Sequence, residues 1–219
     1  GILQRLRKAQ QALAVKIRDV GFLPEGEIHS RSGEGAPYDM GHDDKVYPME
    51  RVMEAAEIAS GKGTTGWKLS ALLKDKDSAV RYWAAMAFLI QGEKAVNGTW
   101  GGLLREALKD KSPAVACVAA EALGRYGKGK DQSVAIETLM KYADVSKNTV
   151  FTSMLALNAL DYVDANAKHR AAAIKALPTK GKVTPARMGN YVPNLITKTA
   201  DDLGLKVQPK PKRPRKNRK

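Results

Sequence analysis

The sequence predicts an all-α chain: a stacked α-α superhelix, or solenoid, preceded by a helix and a long ordered loop. Three observations predict it. Residues 69–92 align without gaps on residues 104–127, and eleven of the twenty-four paired positions are identical. A period of about 35 residues made of two helical stretches is the mark of a helical array. Ala is abundant within the repeated block while aromatic residues form only 6% of the chain, a mix that suits close helix packing and disfavours a β-sandwich. Each repeat also carries helix punctuation at the same places, Asp77 and Ser112 as N-caps and Gly92 and Gly127 as stops.

The elements follow in order. Ile2, Leu3, Leu6, Ala9, Leu13, Val15, Ile17 and Val20 recur at mainly helical spacing with Arg and Lys between them. They predict an amphipathic helix over residues 2–20, ended by Gly21 in the left-handed region. The pattern then stops. Gly21, Pro24, Gly26, Gly33, Gly35, Pro37 and Gly41 punctuate a stretch as far as Tyr47 that is longer than the about 12 to 15 residues of an ordinary connection. Phe22, Leu23, Ile28, Tyr38, Met40 and Tyr47 give it more apolar anchors than disorder would, so it is expected to lie ordered against something. Pro48 opens a helix through Ser60 from a position that proline tolerates.

Two repeats come next. A short first helix (66–74, then 101–109) meets a Lys-Asp-Lys turn, and a longer second helix starts at Asp77 or Ser112, with Pro113 where its missing N–H is harmless. Ala84, Ala85, Ala87, Ala119, Ala120 and Ala122 allow close approach, while Trp83, Phe88, Leu89, Val118 and Leu123 fill the remaining space. Asp77 and Arg81 offer an i,i+4 pair, which Ala116 interrupts in the second copy. Residues 131–145 and 149–163 read as a degenerate third pair displaced by an insertion in the turn. Helices over 167–177 and 191–203 complete the stack. Residues 69–127 resemble HEAT repeats of the short bacterial type, and Arg81 stands where such repeats often place an arginine.

The charge is unevenly spread. The chain carries 37 Lys and Arg against 23 Asp and Glu, a formal +14. Eight of those bases lie in residues 206–219, which hold no acid, so the body keeps 29 bases against 23 acids. The tail is proline-spaced and expected to be disordered, its Lys210, Lys212, Arg213, Arg215, Lys216, Arg218 and Lys219 suited to a polyanion through counterion release. No aromatic is interleaved, so base stacking has no support there. The single cysteine, Cys117, permits no internal disulfide and reads as a buried small hydrophobe. No apolar run reaches membrane-spanning length. The chain starts Gly-Ile with neither an initiator Met nor a signal sequence, which implies a processed N-terminus or a piece of a longer protein; the start inside an amphipathic helix favours the piece.

Arg18-Asp-Val-Gly-Phe-Leu-Pro-Glu-Gly-Glu-Ile-His-Ser-Arg31, followed by Gly35-Ala-Pro-Tyr-Asp39, resembles a segment of bacterial sulfatases, formylglycine-dependent hydrolases of the alkaline-phosphatase-like superfamily. Some of these, mostly secreted and acting on sulfated glycans, continue into HEAT repeats. The resemblance implies two parts, residues 1–47 as the end of a sulfatase-type C-terminal subdomain plus its connecting loop and 48–205 as HEAT-like repeats; the disordered basic tail, 206–219, lies outside it. It implies a sulfatase catalytic domain upstream in cis, with its own calcium, in the periplasm or outside the cell. The Cys/Ser-x-Pro-x-Arg motif of such enzymes is absent from this sequence, where Cys117 is followed by Val118-Ala119-Ala120. No catalytic residue and no cofactor is therefore assigned to the chain.

Glu25, Glu27, His29 and Arg31 alternate, which in an extended segment places all four on one side. Such a strip is a candidate for contact with sugar hydroxyls and sulfate, or else a polar surface facing a neighbouring domain or water. His29, Asp39, His42, Asp43 and Asp44 follow no metal-ligand spacing. Two further readings stay open: a stand-alone repeat scaffold for a protein or polyanion, and a nucleic-acid-binding protein like the HEAT-like DNA glycosylases. The weakly basic body ranks the last of these lowest.

Overall fold

The computed structural model describes residues 1–61, 66–182 and 184–205, and among them there is no strand. The helices are α1 (Ile2–Ile17), α2 (Glu25–Ser32), α3 (Pro37–Gly41), α4 (Met49–Ser60), α5 (Gly66–Leu73), α6 (Ser78–Gln91), α7 (Glu93–Val96), α8 (Gly102–Ala107), α9 (Pro113–Tyr126), α10 (Gly129–Ala143), α11 (Val150–Val163), α12 (Ala171–Lys175) and α13 (Tyr191–Asp202). The long helices α4, α6, α9, α11 and α13 pack each against the next in one layer. The helices α5, α8, α10 and α12 form a second layer, each against the long helix that follows it. The all-α solenoid is therefore as the sequence predicts.

The turn between the two helices of a repeat is built three times in the same way. The Oδ1 atoms of Asp75, Asp110 and Asp144 accept the backbone N–H two residues on, at 2.8, 2.8 and 3.0 Å. Asp77, Ser112 and Thr149 then cap the long helices through their side-chain oxygens. Thr149 follows Asp144 by five residues where Ser112 follows Asp110 by two, and that insertion is what blurs the third copy in sequence. Arg51 on α4 pairs with Asp75, and Arg81 on α6 pairs with Asp110 of the next turn at 2.6 Å. The expected Asp77–Arg81 pair is thus replaced by a bond one repeat forward. Ala116, at the equivalent place on α9, is fully buried and ends this ladder; Asp144 pairs locally with Lys147 at 3.1 Å instead.

Two apolar clusters form the interior. The larger runs through the repeats, with Phe88, Leu104, Leu123, Leu139, Leu160 and Ile174 at its centre. The smaller gathers Ala14, Leu23, Met40, Tyr47, Met49 and Val52 with Ala79 and Val80 of α6. It joins the N-terminal segment to the first repeat. The Trp83 Nε1–H donates to the Phe22 carbonyl at 2.8 Å and the Tyr47 hydroxyl to the Asp19 carbonyl at 2.7 Å, closing the same seam.

Several local expectations differ. The α1 helix ends at Arg18, which takes the left-handed conformation (φ 55°), while Gly21 sits in a short 3₁₀ turn over Val20–Phe22. The strain at Arg18 is held by its guanidinium, which donates to the carbonyls of Gly41 (2.7 Å) and Tyr47 (3.1 Å) and pairs with Asp44 at 2.7 Å. The expected loop is ordered but carries α2 and α3. Pro48 is the N-cap of α4 rather than its first residue. The helix expected over 167–177 is a 3₁₀ stretch, Asp164–Arg170, leading into the short α12.

Gly124 marks a close approach of α9 to the end of α11: a Cβ there would lie 2.6 Å from Val163 Cγ2. Val163 is buried and β-branched, so it cannot rotate away. Gly124→Ala is expected to destabilise the chain by about 1–2 kcal/mol, overpacking outweighing the gain in helix propensity. Urea unfolding of the single variants and of Gly124→Ala with Val163→Ala checks this; the double variant should lose at least about 1 kcal/mol less than the sum of the singles.

Candidate functional site

Helix α2 crosses the N-terminal ends of the long repeat helices. Its sequence suits a short helix: Pro24 at the N-cap, His29 in the last turn, and the charges of Glu25 and Glu27 in the first turn and of Arg31 in the last matched to the helix dipole. Eight residues are too few to hold a helix alone in water, so its stability comes from what it touches. The alternating strip expected from the sequence is therefore corrected. At 3.6 residues per turn, Glu27 pairs with Arg31 and Glu25 with His29, and the four do not share one face as in a strand.

Glu27 and Arg31 face the array. Glu27 accepts from the hydroxyls of Ser78 (2.7 Å) and Ser112 (2.6 Å), residues at the starts of α6 and α9, and from Arg31 Nε at 3.0 Å. The Arg31 guanidinium grips both carboxylate oxygens of Asp77 at 3.0 and 2.9 Å, and donates to Ser78 Oγ at 2.9 Å and the Val46 carbonyl at 2.8 Å. The side chains of Glu27, Arg31 and Asp77 are only 11–12% exposed. Burial alone would push the Asp77 carboxyl up, but Arg31 and the N–H groups of Ala79 and Val80 hold it below the usual range. Burial likewise opposes the Arg31 charge, and Asp77 and Glu27 outweigh it, raising its pKa.

Glu25 and His29 form the second pair of α2. The His29 ring stacks on Phe151 of α11 with centroids 4.2 Å apart and 12° between planes, and its Nε2 lies 3.7 Å from Glu25. Beside them opens a groove of about 770 Å³, bounded by α2, the turn lysines Lys76 and Lys111, and Tyr82, Thr152, Leu155 and Asn158 of the long helices. Deeper in the long-helix layer, burial raises the Glu121 carboxyl above its ordinary value, and Arg125 at 3.1 Å offsets only part of this. Burial and then Glu121 push the Tyr82 phenol and the Cys117 thiol each up to about 12. Cys117 is a fully buried thiol, as its sequence context implies.

All four sequence-nominated residues of the N-terminal segment thus lie on one helix: Glu25, Glu27 and Arg31 line the groove, the last two also engaged with the array, and His29 stacks on Phe151. The basic residues Lys210, Lys212, Arg213, Arg215, Lys216, Arg218 and Lys219 lie outside the described residues. Sequence reasoning missed Lys76, Ser78, Lys111 and Ser112 as one row. The signal was present, since the duplicated Lys-Asp-Lys turn and its cap return one repeat apart on the same edge of a solenoid. Among the described residues no group of three or more His, Cys, Asp or Glu is placed to hold a metal ion, and no helix is long and apolar enough to cross a membrane.

Residues 67–159 match a family model described as HEAT repeats. Neither the curated proteins nor the solved structures contain a match to the chain. The array is therefore a HEAT-like helical repeat scaffold over those residues.

Removing Arg31 leaves Glu27 and Asp77 unpaired and buried, so Arg31→Met is expected to cost on the order of 3 kcal/mol in chemical denaturation. Glu121 gives a pH signature. Its folded pKa is raised, so its stabilising contribution is greatest below the ordinary Glu range and is lost as pH rises through the raised value. Glu121→Gln should therefore stabilise the chain more at pH 8 than at pH 4, read by urea midpoints at the two pH values.

Proposed function

We propose that this chain is the non-catalytic HEAT-repeat appendage of a sulfatase-type hydrolase acting on sulfated glycans, an interaction module in a periplasmic or extracellular enzyme. The observation that carries the reading is the place of the segment 18–39. The stretch that resembles the sulfatase segment is the one whose helix α2 locks onto Asp77, Ser78 and Ser112 of the first two repeats. A hydrolase domain carried on residues 1–47 would in that way be fixed to the array and not tethered by a flexible linker. The repeats supply a groove and a layered surface, and the chemistry, with its calcium, belongs to the attached domain.

A second reading, a stand-alone scaffold for an acidic protein or a polyanion, draws on Lys76 and Lys111 at the groove. The coding sequence preceding codon 1 separates the two. A Cys/Ser-x-Pro-x-Arg motif in the same frame is the expected result, with turnover of a small aryl sulfate unchanged by Lys76→Ala and Lys111→Ala. A frame with no such motif over a few hundred residues, together with heparin retention that those substitutions abolish, would overturn the sulfatase reading in favour of the scaffold.

A further inference from the structure

Helix α1 has two faces with opposite fates. Gln11, Ala14 and Val15 turn toward α4, where Ala14 is buried. Ile2, Leu3, Leu6, Leu13 and Ile17 are 56–71% exposed. At 3.6 residues per turn these five fall in a stripe roughly 100° wide, centred roughly 120° around the helix from the α4 contact. The first ten residues of the chain are all exposed, so the outer part of α1 leans on nothing else described. Residues 1–17 contain no acid, and Arg5, Lys16 and Arg7 flank the stripe on its two sides.

We infer that this stripe is a docking surface for a folded protein domain with an apolar groove rimmed by carboxylates. Ile2, Leu6, Leu13 and Ile17 are anchors spaced as in a helix laid into a groove, with the small Ala9 between them to allow close approach. Cations along both edges with no acid among them select an anionic rim. A second copy of α1 is disfavoured, because pairing two such helices sets base against base with no compensating acid. A lipid surface is disfavoured as well: α1 carries no Trp, Tyr or Phe to seat at a headgroup boundary. The inference rests on the proposed function in one respect, that the partner domain is carried in the same polypeptide.

The test is hydrogen exchange on the full-length protein and on this chain alone, native and with Leu6→Asp plus Leu13→Asp. Both leucines are more than half exposed, so the array is expected to fold unchanged in the variant, with the same far-UV spectrum. In the full-length protein the amides of residues 2–17 should be protected, and the variant should exchange there at least about a hundredfold faster while α9 and α11 stay protected. In this chain alone the same amides should exchange fast in both versions. Equal protection of α1 in native and variant full-length protein would overturn the inference. So would a dimer of this chain in sedimentation, or binding to vesicles of phosphatidylserine and phosphatidylcholine, if the variant abolished it. An attached domain that is no sulfatase, yet protects α1 in this leucine-dependent way, would sink the proposed function and leave the docking surface standing.

Discussion

The buried ionic node of Glu27, Arg31 and Asp77 sets where the N-terminal segment lies, and much else follows from it. Three charges at about one-tenth exposure are tolerable only when every one is paired and hydrogen-bonded. That condition is met in one arrangement: α2 across the starts of α6 and α9, Ser78 bridging acid and base, and the Val46 carbonyl closing the guanidinium fork. The carboxylate of Glu27 also sits where two helix N-termini converge, an electrostatic position that favours an anion. An alternative docking of α2 would leave at least one charge buried and unpartnered, so the node acts as a register pin. The groove beside α2 exists because the helix is held there.

The solenoid beyond it owes its regularity to a turn that is copied more faithfully than the helices it joins. An aspartate folds the chain back by accepting the N–H two residues on, and a capping oxygen starts the next helix. Alanines then let the long helices approach, as Gly124 does against Val163. The forward ion pairs Arg51–Asp75 and Arg81–Asp110 fasten one repeat to the next. Where Ala116 replaces the arginine, no ion pair among the described residues joins α9 to the third turn, whose Asp144 pairs with Lys147, and that turn is also where the chain has accepted an insertion.

What the sequence revealed tracks how local each signal is. The repeats, both N-caps and both glycine stops were legible because caps and periodicity act within a few residues. Helix α2 was not. It is eight residues long, contains Gly26, and ends at Gly33, so no periodic stretch is long enough to announce it, and a period of two fitted its four polar residues as readily as a period of 3.6. Arg18 in place of Gly21 as the helix stop, and Arg81 bonding forward instead of back to Asp77, have the same origin. In each case a partner far along the chain, Tyr47 for the first and Asp110 for the second, outweighs the local preference. Glu27 and Arg31 were legible as functional candidates by residue type, but their role depends on Ser78 and Ser112, 51 and 85 residues downstream.

The two ends of the N-terminal segment are braced independently, and this bears on how anything seated on α1 would be oriented. Arg18 is tied to Gly41, Asp44 and Tyr47 at the exit of α1, and Arg31 is tied to Asp77 and Ser78 at the exit of α2. Tyr47, fully buried, belongs to the same cluster as Ala79 and Val80 of α6. A twist of α1 against the array would break the Arg18 contacts in a left-handed residue already under strain, and a shift of α2 would uncover a buried charge. The two costs fall on separate sets of residues, so the segment is held at two points, the exit of α1 and the exit of α2. A domain docked on the leucine stripe would then move with the solenoid as one body, and the groove under α2 would keep a fixed direction relative to it.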